Sequence, residues 1–286
     1  MGDTMNVLFL GFGYVARATA RALAGHAELT ATTRDPAKAD ALRAQGITPV
    51  QMDDRAALKA AMRAASHILV SAPPGEAGDP FLPALDAKTA QARWIGYLST
   101  TGVYGDRRGG WAFEWDAAHP TQARSVRRME AEAGWQAAGA RIFRLAGIYG
   151  PGRSALDALR QGRARRIIKP GHVFSRIHAD DIASALVRAM DRPGASGIFN
   201  LADDLPSPQS AVVEEAARLL GVEPPLPEAF DPGAMSAMLA SFYADCRRVS
   251  NARAKQVLGW RPAYPSYRQG LAAIYESEKA STAPAP

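Results

Sequence analysis

The apolar run Asn6-Val7-Leu8-Phe9-Leu10 passes directly into Gly11-Phe12-Gly13-Tyr14-Val15-Ala16, and no other junction restricts the fold of this chain as tightly. A run of that length suits a buried strand and is too short for a helix. Gly11 then makes the tight turn and Gly13 lets the backbone approach a pyrophosphate. The start of the next helix offers oriented N–H groups with a partial positive charge. The third small position is Ala16, which still permits close helix–strand packing. An alanine-rich helical segment follows at 14–24, and a second strand at 28–33. We read here a dinucleotide-binding β–α–β unit with Gly11, Gly13, Tyr14 and Val15 around the phosphates. The plain alternative is an ordinary glycine turn in an α/β sheet, since the chain carries 25 glycines.

The alternation continues. Asp35-Pro36 reads as a helix cap and first helical position, with Gly46 as terminator. A strand at 48–52 precedes a helix capped by Asp53 or Asp54 and running to about residue 65. The strand 67–71 stops at Ala72-Pro73-Pro74-Gly75, a helix is predicted at 81–92, and a strand at 94–98. A long helix through Trp135 ends at Gly139 before the strand 140–145. Strands alternating with helices predict an α/β fold, a Rossmann-like doubly wound parallel sheet. We assign residues 1–150 to a dinucleotide-binding domain and 151–286 to a smaller C-terminal substrate region. The two are partly interleaved, because the helix 181–191 and the strand 198–201 return residues 176–201 to the sheet. The tail 281–286 reads as disordered.

Composition narrows the function classes. With 286 residues, 47% hydrophobic and 22% charged, the chain is globular in character,. No apolar run reaches the roughly 20 residues of a membrane span. The first residues lack a basic region and a cleavage site, so we expect a cytoplasmic protein without a membrane partner. A single cysteine, Cys246, excludes an internal disulfide and a thiolate metal cluster, and no metal is expected,. The charge of +6 is spread along the chain, almost all of it as arginine. We therefore expect a small-molecule substrate and no nucleic acid. The densest basic stretch, Arg160 to Lys169, suits a solvated face or a phosphate-bearing small ligand.

Four motifs follow one another: Gly11-Phe12-Gly13; Leu98-Ser99-Thr100-Thr101-Gly102-Val103-Tyr104-Gly105; Arg144-Leu145-Ala146-Gly147-Ile148-Tyr149-Gly150-Pro151-Gly152; and Phe174-Ser175-Arg176-Ile177-His178-Ala179-Asp180-Asp181. In that order they resemble the short-chain dehydrogenase/reductase superfamily, in its extended, atypical branch of NAD-dependent epimerase/dehydratase-like proteins. The resemblance covers residues 5–200. It implies a nicotinamide dinucleotide at the carboxyl ends of the strands, touched by Ser71, Ala72, Pro73 and Ser99, and relatives that often dimerise. At the end of the second strand Thr33 and Arg34 suit a 2′-phosphate and hence NADP, whereas Asp35 keeps NAD open. In relatives an Asp after the third strand meets the adenine, and Asp53 matches that place.

The same resemblance assigns chemistry. Thr100 takes the role of the Ser/Thr that orients a carbonyl, with Thr101 as second choice. The superfamily's Tyr-x-x-x-Lys pair falls on Arg124 and Arg128. Arg128 can serve as a fixed charge, but a guanidinium at 124 cannot exchange a proton near neutrality. Tyr104 is then the first candidate for the missing acid, with Tyr149 and His178 as alternatives. Arg144, Arg153 and Arg176 are expected to anchor substrate beside Thr101, Tyr149 and His178. The aromatic loop 109–116 reads as a lid or a hydrophobic plug, and Glu130 and Glu132 as a solvated helix face. Two functions follow. One is an oxidoreductase acting on a small carbonyl, hydroxyl or nucleotide-sugar substrate; the other is a non-catalytic NADP(H)-sensing regulator.

Overall fold

The computed structural model describes residues 5–86 and 92–282. Seven of its strands form one parallel sheet. Five come first: β1 (Met5–Leu10), β2 (Ala27–Thr33), β3 (Thr48–Gln51), β4 (His67–Val70) and β5 (Trp94–Thr100). After the short β6 (Trp111–Ala112) come β7 (Arg141–Leu145), β8 (Gly147–Tyr149), β9 (Arg166–Ile168), β10 (Arg176–His178) and β11 (Ile198–Leu201). The sheet order is β11-β7-β5-β4-β1-β2-β3, so the chain winds outward in one direction from β1 and then in the other from β4. A crevice therefore opens between the carboxyl ends of β1 and β4, where ligands of open α/β sheets bind.

The strands read as continuous apolar runs because both faces are covered. Val7 and Phe9 pack into one core with Leu98, Phe143 and Phe199, beneath α1 (Tyr14–Leu23) and α2 (Pro36–Arg43). Leu8 and Leu10 point the other way, to Ile68, Val70 and Tyr97. They lie under α3 (Arg55–Ala64) and α4 (Ala123–Ala137). Ala16 is fully buried, as the small third position of the glycine motif requires. The predicted helix at 81–92 is only a 3-10 turn at Leu82–Ala84 over its described part, and 87–91 lie outside the described residues. Pro83 and the bond from Trp135 Nε1 to Asp79 hold this stretch across the sheet face instead.

Beyond β7 the chain leaves and rejoins the sheet. It forms α5 (Ala155–Arg160) and α6 (Ala179–Met190), and α6 packs on α1 through Ala18, Ala179 and Ala183. β11 then pairs with β7, as the apolar stretch at 198–201 predicted. Next come α7 (Gln209–Leu220), β12 (Pro227–Ala229), α8 (Ala237–Phe242), β13 (Arg248–Val249), α9 (Ala252–Val257) and α10 (Tyr267–Thr282). α5, α7 and α10 share a separate core of Leu156, Val212, Ala216, Leu271 and Ile274. Short parallel ladders join β8 to β10, β9 to β12 and β6 to β13. Among the described residues no helix is long and apolar enough to cross a membrane.

Two expectations fail in the middle of the fold. Glu132 is not on a solvated face: its carboxylate meets Arg144 in a bidentate pair at 2.8 to 3.3 Å, both side chains almost wholly buried. Arg144 is therefore a structural cation between α4 and β7, not a substrate anchor. The loop 109–116 is no lid, because β6 ties it to β13 and Glu114 turns inward to accept from the Asn200 N–H at 2.9 Å. Trp115 stacks on Phe113 and stays exposed.

Breaking the pair from one side leaves a buried charge without a partner. Arg144→Met should cost about 3–5 kcal/mol in chemical denaturation. The double variant Arg144→Met, Glu132→Leu should recover most of that loss. If the double variant is no more stable than the single one, the pair is not what holds α4 to β7.

Candidate functional site

The glycine turn forms by close approach. Gly11 has φ +88°, and a Cβ on it would lie 2.7 Å from the Ala72 nitrogen. Its N–H donates to Thr32 Oγ1 at 2.8 Å, while Leu10 O accepts from both Ser71 N and Ala72 N. Gly13 is the N-cap of α1 and supplies no side-chain cap, so the first N–H groups of the helix, on Tyr14 and Val15, face outward,. The nearest group to a Cβ at Gly13 would be Ser71 Oγ at 3.9 Å, which leaves room beside the backbone. The donor set and the space fit the pyrophosphate of a dinucleotide.

At the end of β2 the side chains are allotted differently. Asp35 caps α2, accepting from Ala37 N at 3.0 Å. Thr33 is buried, and its hydroxyl donates to Asp35 O and accepts from Asp35 N, both at 3.2 Å. Thr33 thus shapes the turn and does not reach out to a phosphate. Arg34 is exposed, and among the described residues its guanidinium has no hydrogen-bond partner. After β3 the cap of α3 is Asp54, which accepts from Ala57 N at 2.9 Å, so the exposed side chain of Asp53 is not the helix cap.

At the end of β5, Thr100 Oγ1 accepts from Gly102 N at 3.1 Å and caps a 3-10 turn at Thr101–Tyr104. A Cβ on Gly102 would stand 2.7 Å from Ser125 Oγ and 3.3 Å from Thr100 Oγ1, so this glycine lets α4 close on the turn. Arg128 lies across the strand ends: its Nη1 donates to Leu98 O at 2.8 Å and Tyr97 Oη at 3.2 Å, with Ala72 O at 3.5 Å. Ser99 is buried with its Oγ unpartnered among the described residues.

A cavity of about 630 Å³ begins at Thr100 and Thr101 and runs into the C-terminal region. Apolar and aromatic side chains wall it, among them Tyr149, Phe174, Leu239, Phe242 and Tyr243. Arg124, Arg153, Arg163, Arg165, Arg176 and Arg247 also line it. Arg176 is the most buried of these, bonded to Phe174 O, Ser207 O and Gln209 Oε1, and desolvation lowers its pKa to about 10. Arg153 sits over the Tyr14 ring at 5.8 Å, and Tyr14 Oη donates to Pro151 O at 2.9 Å, so the glycine turn and the cavity share a wall. Arg124 lies 4.8 Å over the Phe242 ring.

Four assigned residues fall outside the cavity lining: Arg128, held across the strand ends, and Tyr104, His178 and Arg144. Tyr104 is fully buried, donates to Asn200 Oδ1 at 2.7 Å and lies under the Arg144 guanidinium, with its pKa raised by desolvation. It packs the layer below Thr100 and is no proton donor. His178 is the buried N-cap of α6, its Nδ1 accepting from Asp180 N at 3.2 Å, so it does not meet substrate. Arg144 is bound to Glu132. Tyr149 does reach the cavity, but its hydroxyl donates to Ser266 O at 3.4 Å and burial pushes its pKa up. Sequence reasoning missed Gln122, Ser125, Gln209, Tyr243, Asp245 and Arg247. Only the basic stretch at 160–169 gave a signal, through Arg163 and Arg165.

No family model matches the chain. A solved conserved protein from Silicibacter pomeroyi, of unknown function, is 42% identical over 96% of this chain and all of its own, with a TM-score of 0.86. The chain belongs to that protein's family. MoeE5, solved with UDP-glucose and NAD, superposes over 98% of the chain with a TM-score of 0.78 at 19% identity. The fold is accordingly that of the NAD-dependent epimerase/dehydratases, as the four motifs implied. A 3-diazoavenalumate denitrifying reductase from Streptomyces is 34% identical over 46% of this chain and 45% of its own. The chain spans about half the length of the curated relatives it matches.

Behind Arg176, Asp203 is buried with Oδ2 unpartnered among the described residues, and desolvation raises its pKa to about 7. A raised carboxyl pKa means that the folded state holds the proton more tightly than the unfolded one. Its contribution to stability therefore falls as pH rises from about 4 to about 7. Asp203→Asn should raise the melting temperature at pH 8 by several degrees and change it little at pH 4. Equal shifts at both pH values would exclude the buried carboxyl as the source.

Proposed function

We propose that this chain is an NAD(P)-dependent oxidoreductase that prefers NADP(H) and acts as a reductase on a small anionic substrate. The observation that carries this reading is the arginine-lined cavity that begins at Thr100, next to the crevice of the glycine turn. Gly11, Gly13 and the first N–H groups of α1 would hold the pyrophosphate, and Arg128 would stand beside the nicotinamide ribose. The nicotinamide supplies hydride chemistry when bound. Thr100 offers a hydroxyl at the mouth of the cavity to orient the reacting group. The guanidiniums of Arg124 and Arg153 have no hydrogen-bond or ion-pair partner among the described residues, and a guanidinium pairs well with carboxylate or phosphate.

The preference for NADP(H) rests on the end of β2. With Asp35 turned to the cap of α2, the acidic group that would accept from a free ribose hydroxyl is occupied, and Arg34 is available to a 2′-phosphate,. The reductase direction is supported by the Streptomyces relative. A second reading, a regulator that senses NADP(H) without turnover, is favoured by Arg124 standing where the superfamily carries its phenol.

Calorimetric titration with NADPH and NADH tests the first part. The native chain should bind NADPH more tightly, and Arg34→Ala should weaken NADPH by about tenfold or more while changing NADH little. Equal affinities in the native chain would remove the NADP preference. Failure of both dinucleotides to bind would remove the whole reading.

A further inference from the structure

α4 brings a second hydroxyl to the mouth of the cavity beside Thr100. Ser125 is the third residue of that helix and follows directly on position 124, where the superfamily's phenol falls. Its side chain is buried and lines the cavity, and its hydroxyl has no hydrogen-bond partner among the described residues. A serine near a helix start commonly bonds back to the backbone, and this one leaves that option unused. The Cβ that Gly102 lacks marks a point 2.7 Å from Ser125 Oγ and 3.3 Å from Thr100 Oγ1. Gly102 itself lines the cavity, so the gap between the two hydroxyls is open to a ligand. Thr100 Oγ1 accepts from Gly102 N at 3.1 Å, which leaves its own proton free to donate.

Hydroxyls converging on one space are the donors that a carbonyl oxygen needs when hydride arrives and negative charge builds on it. The surrounding charge has the right sign. Gln122, the N-cap of α4, gives the helix no side-chain cap, because its Nε2 donates to Ser241 O at 2.7 Å. The positive end of the helix therefore lies at Ser125, next to the permanent cation of Arg124. Other hydroxyls on the wall are held in different company. Tyr243 packs among the rings of His172, Phe174 and Phe230, and Tyr267 joins the core shared by α5, α7 and α10.

Building on the reading as a reductase, we propose that Ser125 is a catalytic residue: with Thr100 it holds the carbonyl oxygen of the substrate, and it gives that oxygen its proton. The substrate's carbonyl carbon accepts the hydride pair of the reduced nicotinamide as a new C–H bond, and the carbonyl π pair moves onto oxygen. That oxygen takes the Ser125 proton as the serine O–H bond breaks. Serine then recovers a proton from water entering the cavity. The carbonyl carbon is reduced, the nicotinamide is oxidised to its cation, and one proton is drawn from solvent. A serine hydroxyl is too weak an acid to protonate a neutral carbonyl, so its proton follows the hydride. The hydroxyl thus stands one position along α4 from the phenol that the superfamily uses.

The full chain is assayed with NADPH and three carbonyl probes that carry a carboxylate, namely glyoxylate, phenylpyruvate and 4-carboxybenzaldehyde, and the fastest is carried forward. Ser125→Ala should lower kcat about a hundredfold or more and leave KM within about threefold of native. NADPH affinity by calorimetry and the melting temperature should both hold, because the hydroxyl removed has no partner in the fold. Ser125→Thr, which keeps the hydroxyl, should recover most of the lost kcat. A kcat in Ser125→Ala within about threefold of native, or a loss that falls on KM or on the melting temperature instead, would overturn the inference. A larger fall in kcat for Thr101→Val, Tyr243→Phe or Tyr267→Phe would overturn it too. So would no turnover of any probe with NADPH firmly bound, which would leave a reductase of some other bond. Failure of the native chain to bind NADPH would instead strike the earlier reading.

Discussion

The close approach of β1 and β4 at residue 11 governs the placement of the rest. At φ +88°, Gly11 is stitched to Thr32 on one side, and a Cβ on it would collide with Ala72 on the other. Leu10 O holds both Ser71 N and Ala72 N. Three strand ends are thereby fixed at one backbone position, and α1 starts directly above them with its N–H groups uncapped. A side chain at 11 would lift the loop after β4. That same loop's Ala72 O meets Arg128, so the error would spread to α4.

Beneath Thr100 a second device fixes the other half of the sheet. Arg144 of β7 binds Glu132 of α4, and Tyr104 and Glu114 meet on Asn200 of β11 through its side chain and its N–H. Five segments, the 3-10 turn at Tyr104, the loop at Glu114, α4, β7 and β11, are joined by buried polar contacts with defined geometry. An apolar layer of equal volume would be at least as stable but would specify the alignment less narrowly. The precision matters because Thr100 stands directly on this layer and opens onto the cavity.

These two devices were not equally legible in the sequence. The glycine turn, the strand alternation and the return of β11 are local patterns, and each could be read from a short window. The buried layer could not. Arg144 and Glu132 carry the composition of a surface pair, and only the meeting of β7 with α4 makes them core. Residue type points to Arg144 as an anchor and to Tyr104 as an acid, and both fail for the same reason: burial is a property of the packed fold. His178 shows a subtler form of this, since an N-cap histidine and a catalytic one have the same neighbours in sequence. The cavity wall from Leu239 to Arg247 lies far along the chain from Thr100, in a stretch without periodicity, and nothing local joined the two.

Arg124 and Arg128 make the limit most concrete. They are the same residue, one helical turn apart on α4, and lie on nearly one face. Yet Arg128 is bonded to a carbonyl and a phenol where β4 and β5 end, so its charge is held by the scaffold and its geometry is fixed. Arg124, in the first turn, extends beyond the sheet over the face of Phe242, where a weakly hydrated planar cation rests without hydrogen-bond partners among the described residues,. A lysine at 128 would have only a point charge to offer the strand ends, and a tyrosine at 124 would bring a proton to the cavity. The arginines make both positions permanently cationic. One fastens the helix to the sheet and the other lines the cavity, and the proton relay that this helix carries in the superfamily has no counterpart at either position.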